Sequence, residues 1–114
     1  MLPAPNRLRK TSDINRVYKR GVYGAGENLL SLKALSTGSQ ATRAVIVVGK
    51  KVDKRAVVRN TIRRRLSGLL EEMWGTVPPG YDIVISAHAD LAHTPADRLR
   101  SLLTAALKRA KVIA

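Results

Sequence analysis

From Lys50 to Leu66 the chain reads Lys-Lys-Val-Asp-Lys-Arg-Ala-Val-Val-Arg-Asn-Thr-Ile-Arg-Arg-Arg-Leu, and eight of the first sixteen residues are Lys or Arg. Only Asp53 opposes them. Through the second half of this stretch and on to Met73, apolar residues keep helical spacing. Val58, Ile62, Leu66, Leu69, Leu70 and Met73 project within roughly 120° of one another at 100° per residue, which predicts a helix from about Ala56 to Met73. Such a helix has to press its stripe onto an apolar partner and keep its cationic face uncovered. The remainder of the chain must supply that partner.

Residues 1–11 read as an extended, proline-containing arm carrying Arg7, Arg9 and Lys10. Ser12 is a favourable N-cap, with Asp13 in the first turn, and Ile14, Val17 and Tyr18 make the apolar face of a short helix that stops at Gly21. Gly24 and Gly26 read as a flexible loop. From Asn28 to Leu35 the period shortens towards two, with Leu30, Leu32 and Ala34 on one face. A turn-rich segment, Ser36-Thr37-Gly38-Ser39-Gln40, leads to the β-branched run Ala44–Val48, and the two strands are expected to form an antiparallel hairpin. Pro78-Pro79-Gly80 breaks the central helix from a further strand, Tyr81–Ala87. Thr94-Pro95 supplies an N-cap and a first-turn proline for a last helix with the stripe Leu99, Leu102, Leu103, Ala106, Leu107 and Ala110. The order α-β-β-α-β-α predicts an α+β two-layer sandwich, a small mixed sheet with helices, in one domain spanning residues 1–114.

The 114 residues carry a net charge of +13, which points to a polyanionic partner. There is no Cys, so disulfides and thiolate zinc sites are excluded. Met1-Leu2-Pro3 leads straight into polar residues, and no apolar run approaches the roughly 18–20 residues that span a bilayer; a cytoplasmic protein without a membrane is expected. A nuclease with its own metal site needs clustered carboxylates, yet only Glu71 and Glu72 are close in sequence, and adjacent helix residues diverge by 100°. His88 and His93 read as loop residues. The chain therefore lacks the residues of a self-sufficient catalyst, and neither catalytic nor metal-ligating residues are assigned to it.

The central helix fares differently. Arg59 and Arg63 lie one turn apart, as do Asn60 and Arg64, in a continuous sector beside the stripe, while Arg65 falls on the opposite flank. The first three turns contain no Glu to relieve the repulsion, and phosphate is the obvious counter-charge.

Arg59-Asn60-x-x-Arg63-Arg64, preceded by Lys50-Lys51 and Ala56-Val57-Val58, resembles the "RNR" signature of the bacterial ribonuclease P protein component. Asn6-Arg7-Leu8-Arg9-Lys10, then Asp13 and Val17-Tyr18-Lys19-Arg20-Gly21, is similar to that family's opening, and Tyr81–Ile85 before a final helix fits as well. The resemblance implies a subunit of an endoribonuclease that removes 5′ leaders from precursor tRNA, with catalysis and most of the Mg2+ in an RNA subunit. It also implies a left-handed βαβ crossover, against the usual hand. Carried across, Lys50, Lys51, Arg59, Asn60, Arg63 and Arg64 become contacts to the catalytic RNA. Arg9, Ile14, Tyr18 and Leu32 become the arm and cleft that hold the leader. Ile14 and Leu32 stand where aromatic rings are common, and Ser67 where arginine is common. No obligate protein partner is implied. A non-catalytic basic RNA-binding protein, such as a ribosomal protein or assembly factor, fits charge and size equally; the ordered motif blocks favour ribonuclease P. A DNA-reading helix-turn-helix is disfavoured because a strand and basic loop precede the arginine-rich helix.

Overall fold

Asp82, Ile83, Val84 and Ile85 are buried in succession, and the strand that carries them is the spine of the sheet. A computed structural model describes residues 2–114. In chain order the elements are α1 (Thr11–Arg20), β1 (Val22–Gly26), β2 (Leu30–Ser36), β3 (Arg43–Val48), α2 (Ala56–Met73), β4 (Tyr81–Ala87) and α3 (Ala96–Arg109). Short 3-10 turns occupy Ala4–Asn6 and Trp74–Thr76. The four strands lie in the order β1-β2-β4-β3; β4 is antiparallel to β2 and parallel to β3, so the sheet is mixed.

The expected β2–β3 hairpin does not form, because β4 enters between them. β4 buries Ile83 and Ile85 on one face and Asp82 and Val84 on the other, and takes an inner position; β3, with Val47 exposed, takes the edge. The turn-rich connection wraps the entry of β4. Thr37 N–H donates to Gly80 O at 2.7 Å, and Thr42 Oγ1 donates to Pro78 O at 2.7 Å.

Val22–Gly26 is a strand rather than a flexible loop. A Cβ on Gly24 would sit 2.3 Å from Ala106 O, and one on Gly26 2.5 Å from Leu102 O. The two glycines let β1 lie directly on the backbone of α3. Helix starts differ from the expectation, α1 beginning two residues earlier and α3 one later: Lys10 and Pro95 hold their cap positions, and neither Ser12 nor Thr94 caps a helix. Gly21 does end α1, its N–H donating to Val17 O.

Alternation divides the side chains between two layers. Leu30, Leu32, Ala34, Ile83 and Ile85 face α2 and α3, meeting Ile62, Leu66 and Leu70 of α2 and Leu99, Leu103 and Leu107 of α3. On the other side Leu8, Val17 and Val84 make a small cluster, flanked by Ile14, Leu35 and Val45. Arg43 fastens this side: its Nε and Nη2 fork onto Asp82 at 2.9 and 2.7 Å, and Nη1 reaches Asp13 of α1 at 3.4 Å. The Asp82 carboxylate, hydrogen-bonded to Arg43, raises the guanidinium pKa further. Among the described residues no helix is long and apolar enough to cross a membrane.

Candidate nucleic-acid interface

The loop between β3 and α2 is built by its own side chains. Asp53 accepts the Arg55 N–H at 2.8 Å and the Arg55 guanidinium at 3.1 and 2.9 Å. Those side-chain bonds from Arg55, followed by the backbone bond, hold the Asp53 carboxyl down at about 2. From the helix, Arg59 Nη1 donates to Asp53 O at 3.0 Å and Lys54 O at 2.7 Å. Arg59 thus braces the loop on which Lys50 and Lys51 stand exposed. The sequence marked it only as a phosphate contact, and its hydrogen bonds give it this second task.

The four motif residues separate into kinds. Arg63 Nη2 donates to Asn60 Oδ1, which fixes both side chains side by side. Arg64 is exposed and makes no hydrogen bond or ion pair among the described residues. Arg65, on the opposite flank, donates to Leu91 O and Ala92 O, both at 2.9 Å, and clamps the β4–α3 loop.

The arm lies against β3. After the turn Ala4–Asn6, Asn6 Nδ2 donates to Thr42 O at 2.9 Å and Leu8 N–H to Ala44 O at 3.0 Å, so the arm adds a short parallel bridge to the sheet edge. Met1, the first residue of the expected arm, lies outside the described residues. This docking brings Arg7 and Arg9 opposite Asn60, Arg63 and Arg64 across a groove of about 680 Å³. No acid lines it.

The α1 side of the sheet is a second surface. Ile14 is half-buried against the small cluster, and Tyr18, one turn on, is 40% exposed. Leu32 does not join them. It is 1% exposed and faces α3, packed in the large core on the far side of the sheet. A one-residue step along β2 changes the face, and the residue that reaches α1 is Lys33, whose Nζ donates to Tyr18 O at 2.6 Å. Tyr23, the cross-strand partner of Lys33, is 58% exposed on the same face. Lys33 and Tyr23 were missed because β1 went unrecognised; a strand there, paired in register with β2, puts both beside Tyr18. At the end of the floor, Ser31 Oγ and His88 Nε2 are 2.6 Å apart, and Val47, Ser86, His88 and Lys51 line a smaller hollow. Lys51 thereby joins the second surface.

Most of the acids are occupied by arginines: Asp13 and Asp82 by Arg43, Asp53 by Arg55, Glu27 by Arg98, and Glu72 and Asp97 by Arg100. Among the described residues no three His, Asp or Glu side chains form a group that could hold a metal ion.

A family model described as Ribonuclease P matches residues 2–111. The ribonuclease P protein component of Pseudanabaena sp. is 36% identical over 114 residues, covering 99% of this chain and 97% of the relative. That of Brevibacillus brevis is 33% identical over 108 residues, covering 95% and 85%. The RNase P protein of Staphylococcus aureus superposes with a TM-score of 0.82 at 25% identity, covering 96% of this chain and 98% of that one. For the Thermotoga maritima protein the TM-score is 0.79 at 27% identity, covering 90% and 96%. With the basic helix, the docked arm and the mixed sheet in place, the chain belongs to the ribonuclease P protein family and is a subunit of that tRNA-processing enzyme.

Proposed function

We propose that the groove face of α2 grips the catalytic RNA of ribonuclease P and that the sheet face beside α1 receives the 5′ leader of precursor tRNA. One observation carries the first half: Arg9, Asn60, Arg63 and Arg64 converge on a groove that no acid lines among the described residues. Guanidinium groups meet phosphate with two parallel donors, and a like-charged cluster without counter-ions gains most from a polyanion. The exposed Tyr18 and Tyr23 beside Lys33 support the second half, because rings next to a cation suit unpaired bases and their phosphates. Lys50 and Lys51, on the loop between the two surfaces, meet RNA on either side. Bond cleavage belongs to the RNA in this reading, with magnesium held there, and the chain positions the substrate. The enzyme works in the cytoplasm and needs no second protein.

Reconstitution tests it. Purified protein is added to a bacterial ribonuclease P RNA at low magnesium, and cleavage of a leader-bearing precursor tRNA is followed. Faster cleavage is expected; no gain over RNA alone would sink the proposal. Replacing Arg63 and Arg64 by Ala should weaken RNA binding and flatten the log–log salt dependence by about 0.7–0.9 per lost phosphate contact.

A further inference from the structure

The groove between the arm, β3 and α2 is not simply a cationic surface. Leu8, Val45 and Ile46 give it apolar walls, and the arginines stand with Asn60 among its lining. Inorganic phosphate or a backbone phosphate alone gains nothing from such walls. An apolar peptide gains nothing from unpaired guanidinium groups. A ligand with a flat, weakly polar ring at one end and a phosphate at the other uses both.

We infer that this groove takes one unpaired nucleotide of the RNA partner, with the base between arm and helix and the phosphate at Arg9 and Arg64. The inference rests on the reading of α2 as an RNA grip and adds the class of ligand. At about 680 Å³ the groove lies within the usual range of sites for small ligands. A paired base does not qualify: held in its helical stack it cannot enter a groove between arm and helix, whereas an unpaired base can be splayed out and buried. Arg9 and Arg64 are free of hydrogen bonds and ion pairs among the described residues, so both are available to phosphate. Asn60 is oriented for a base: its Oδ1 accepts from Arg63, which leaves the Nδ2 hydrogens to donate to a ring nitrogen or exocyclic oxygen. Ser67, half-buried in the lining, leaves room that a larger side chain would fill.

Two measurements test this. In the first, the wild-type protein is titrated with AMP, CMP, GMP and UMP while the methyl signals of Leu8 and Ile46 and the Asn60 amide signals are followed by NMR, with ribose 5-phosphate as control. At least one nucleotide should shift all three, and ribose 5-phosphate should leave the methyls unmoved. Equal shifts from ribose 5-phosphate would overturn the inference and leave a phosphate site only. In the second, Ser67→Trp fills the groove without removing charge. Its affinity for a bacterial ribonuclease P RNA should fall about tenfold, with the salt slope of the wild type retained. Wild-type affinity would overturn the inference. If Ser67→Trp fails to show a cooperative melting transition, Ser67→Leu takes its place with the same expectation. Should Arg63→Ala with Arg64→Ala leave RNA affinity and salt slope unchanged, the grip itself fails. A failure confined to the nucleotide and Ser67 arms leaves the grip standing.

Discussion

Towards α2 and α3 the sheet presents Leu30, Leu32, Ile83 and Ile85, none more than 1% exposed. Towards α1, β2, β4 and the edge strand β3 present Lys33, Ser86 and Val47, and only Leu35, Val84 and Val45 lie in the cluster under the helix. Two helices of 18 and 14 residues close the first side; one of 10 residues covers part of the second. Complete coverage excludes water and yields stability. Partial coverage leaves rings and cations on a rigid floor, where a ligand supplies the missing layer. The same sheet thus serves as core on one side and as platform on the other.

The largest effect should come from the closed side. Leu103→Ala empties a fully buried position and should cost about 2–5 kcal/mol in urea unfolding, whereas Tyr23→Ala on the platform should change stability by no more than about 0.5 kcal/mol. Similar losses for the two would end the contrast.

The next test concerns the fastening of the platform. Asp82→Asn leaves Arg43 without its forked partner beside a buried position. Cutting a fully buried pair costs about 3–5 kcal/mol. With the Arg43 side chain 34% exposed, solvent screening reduces this to about 2 kcal/mol. Faster amide exchange in α1 than in α3 would locate the damage; a uniform change across both helices would mean that Arg43 does not hold α1 in particular.

A smaller effect, about 1 kcal/mol, is expected when Tyr18→Ala removes a ring that is already part-exposed. Precursor tRNA with its leader should lose affinity and mature tRNA should not. Equal losses would take Tyr18 off the leader path.

The smallest effect is a titration. Asp53 is depressed from its ordinary 3.8 to about 2 by Arg55, so its hold on the loop is complete above 3.8 and is lost as pH falls through about 2. The carboxyl carbon of Asp53 should titrate near 2 by NMR. A midpoint near 3.8 would show that the clasp between Asp53 and Arg55 is absent in solution.

What the sequence made legible follows from range. α2 runs from Ala56 to Met73 as its stripe predicts, because a helix is written in neighbours three and four apart. The stripe of α3 and the strand Tyr81–Ala87 are legible for the same local reason. Strand order is not local: nothing near Ser36–Gln40 shows that a strand forty residues on will part β2 from β3. Gly24 and Gly26 read as loop because the contact that requires them, the backbone of α3, lies some eighty residues away. Leu32 was assigned to the cleft from a matched position. Its own alternation with Leu30 and Ala34 argued for the core, and the pleat decides. Arg59 and Arg65 were visible as charges, but their carbonyl partners in loops were not.

The central place of β4 also sets a timetable. Synthesis delivers β1, β2 and β3 first, and until residues 81–87 follow, β2 lacks one neighbour and β3 has only the bridge to the arm. Neither edge is completed by anything made earlier, so most of the chain must leave the ribosome before the sheet closes. Two apolar strands wait open during that interval, and such edges recruit other chains. A fragment ending at Gly80 would contain every motif arginine and still possess no continuous sheet on which to mount them.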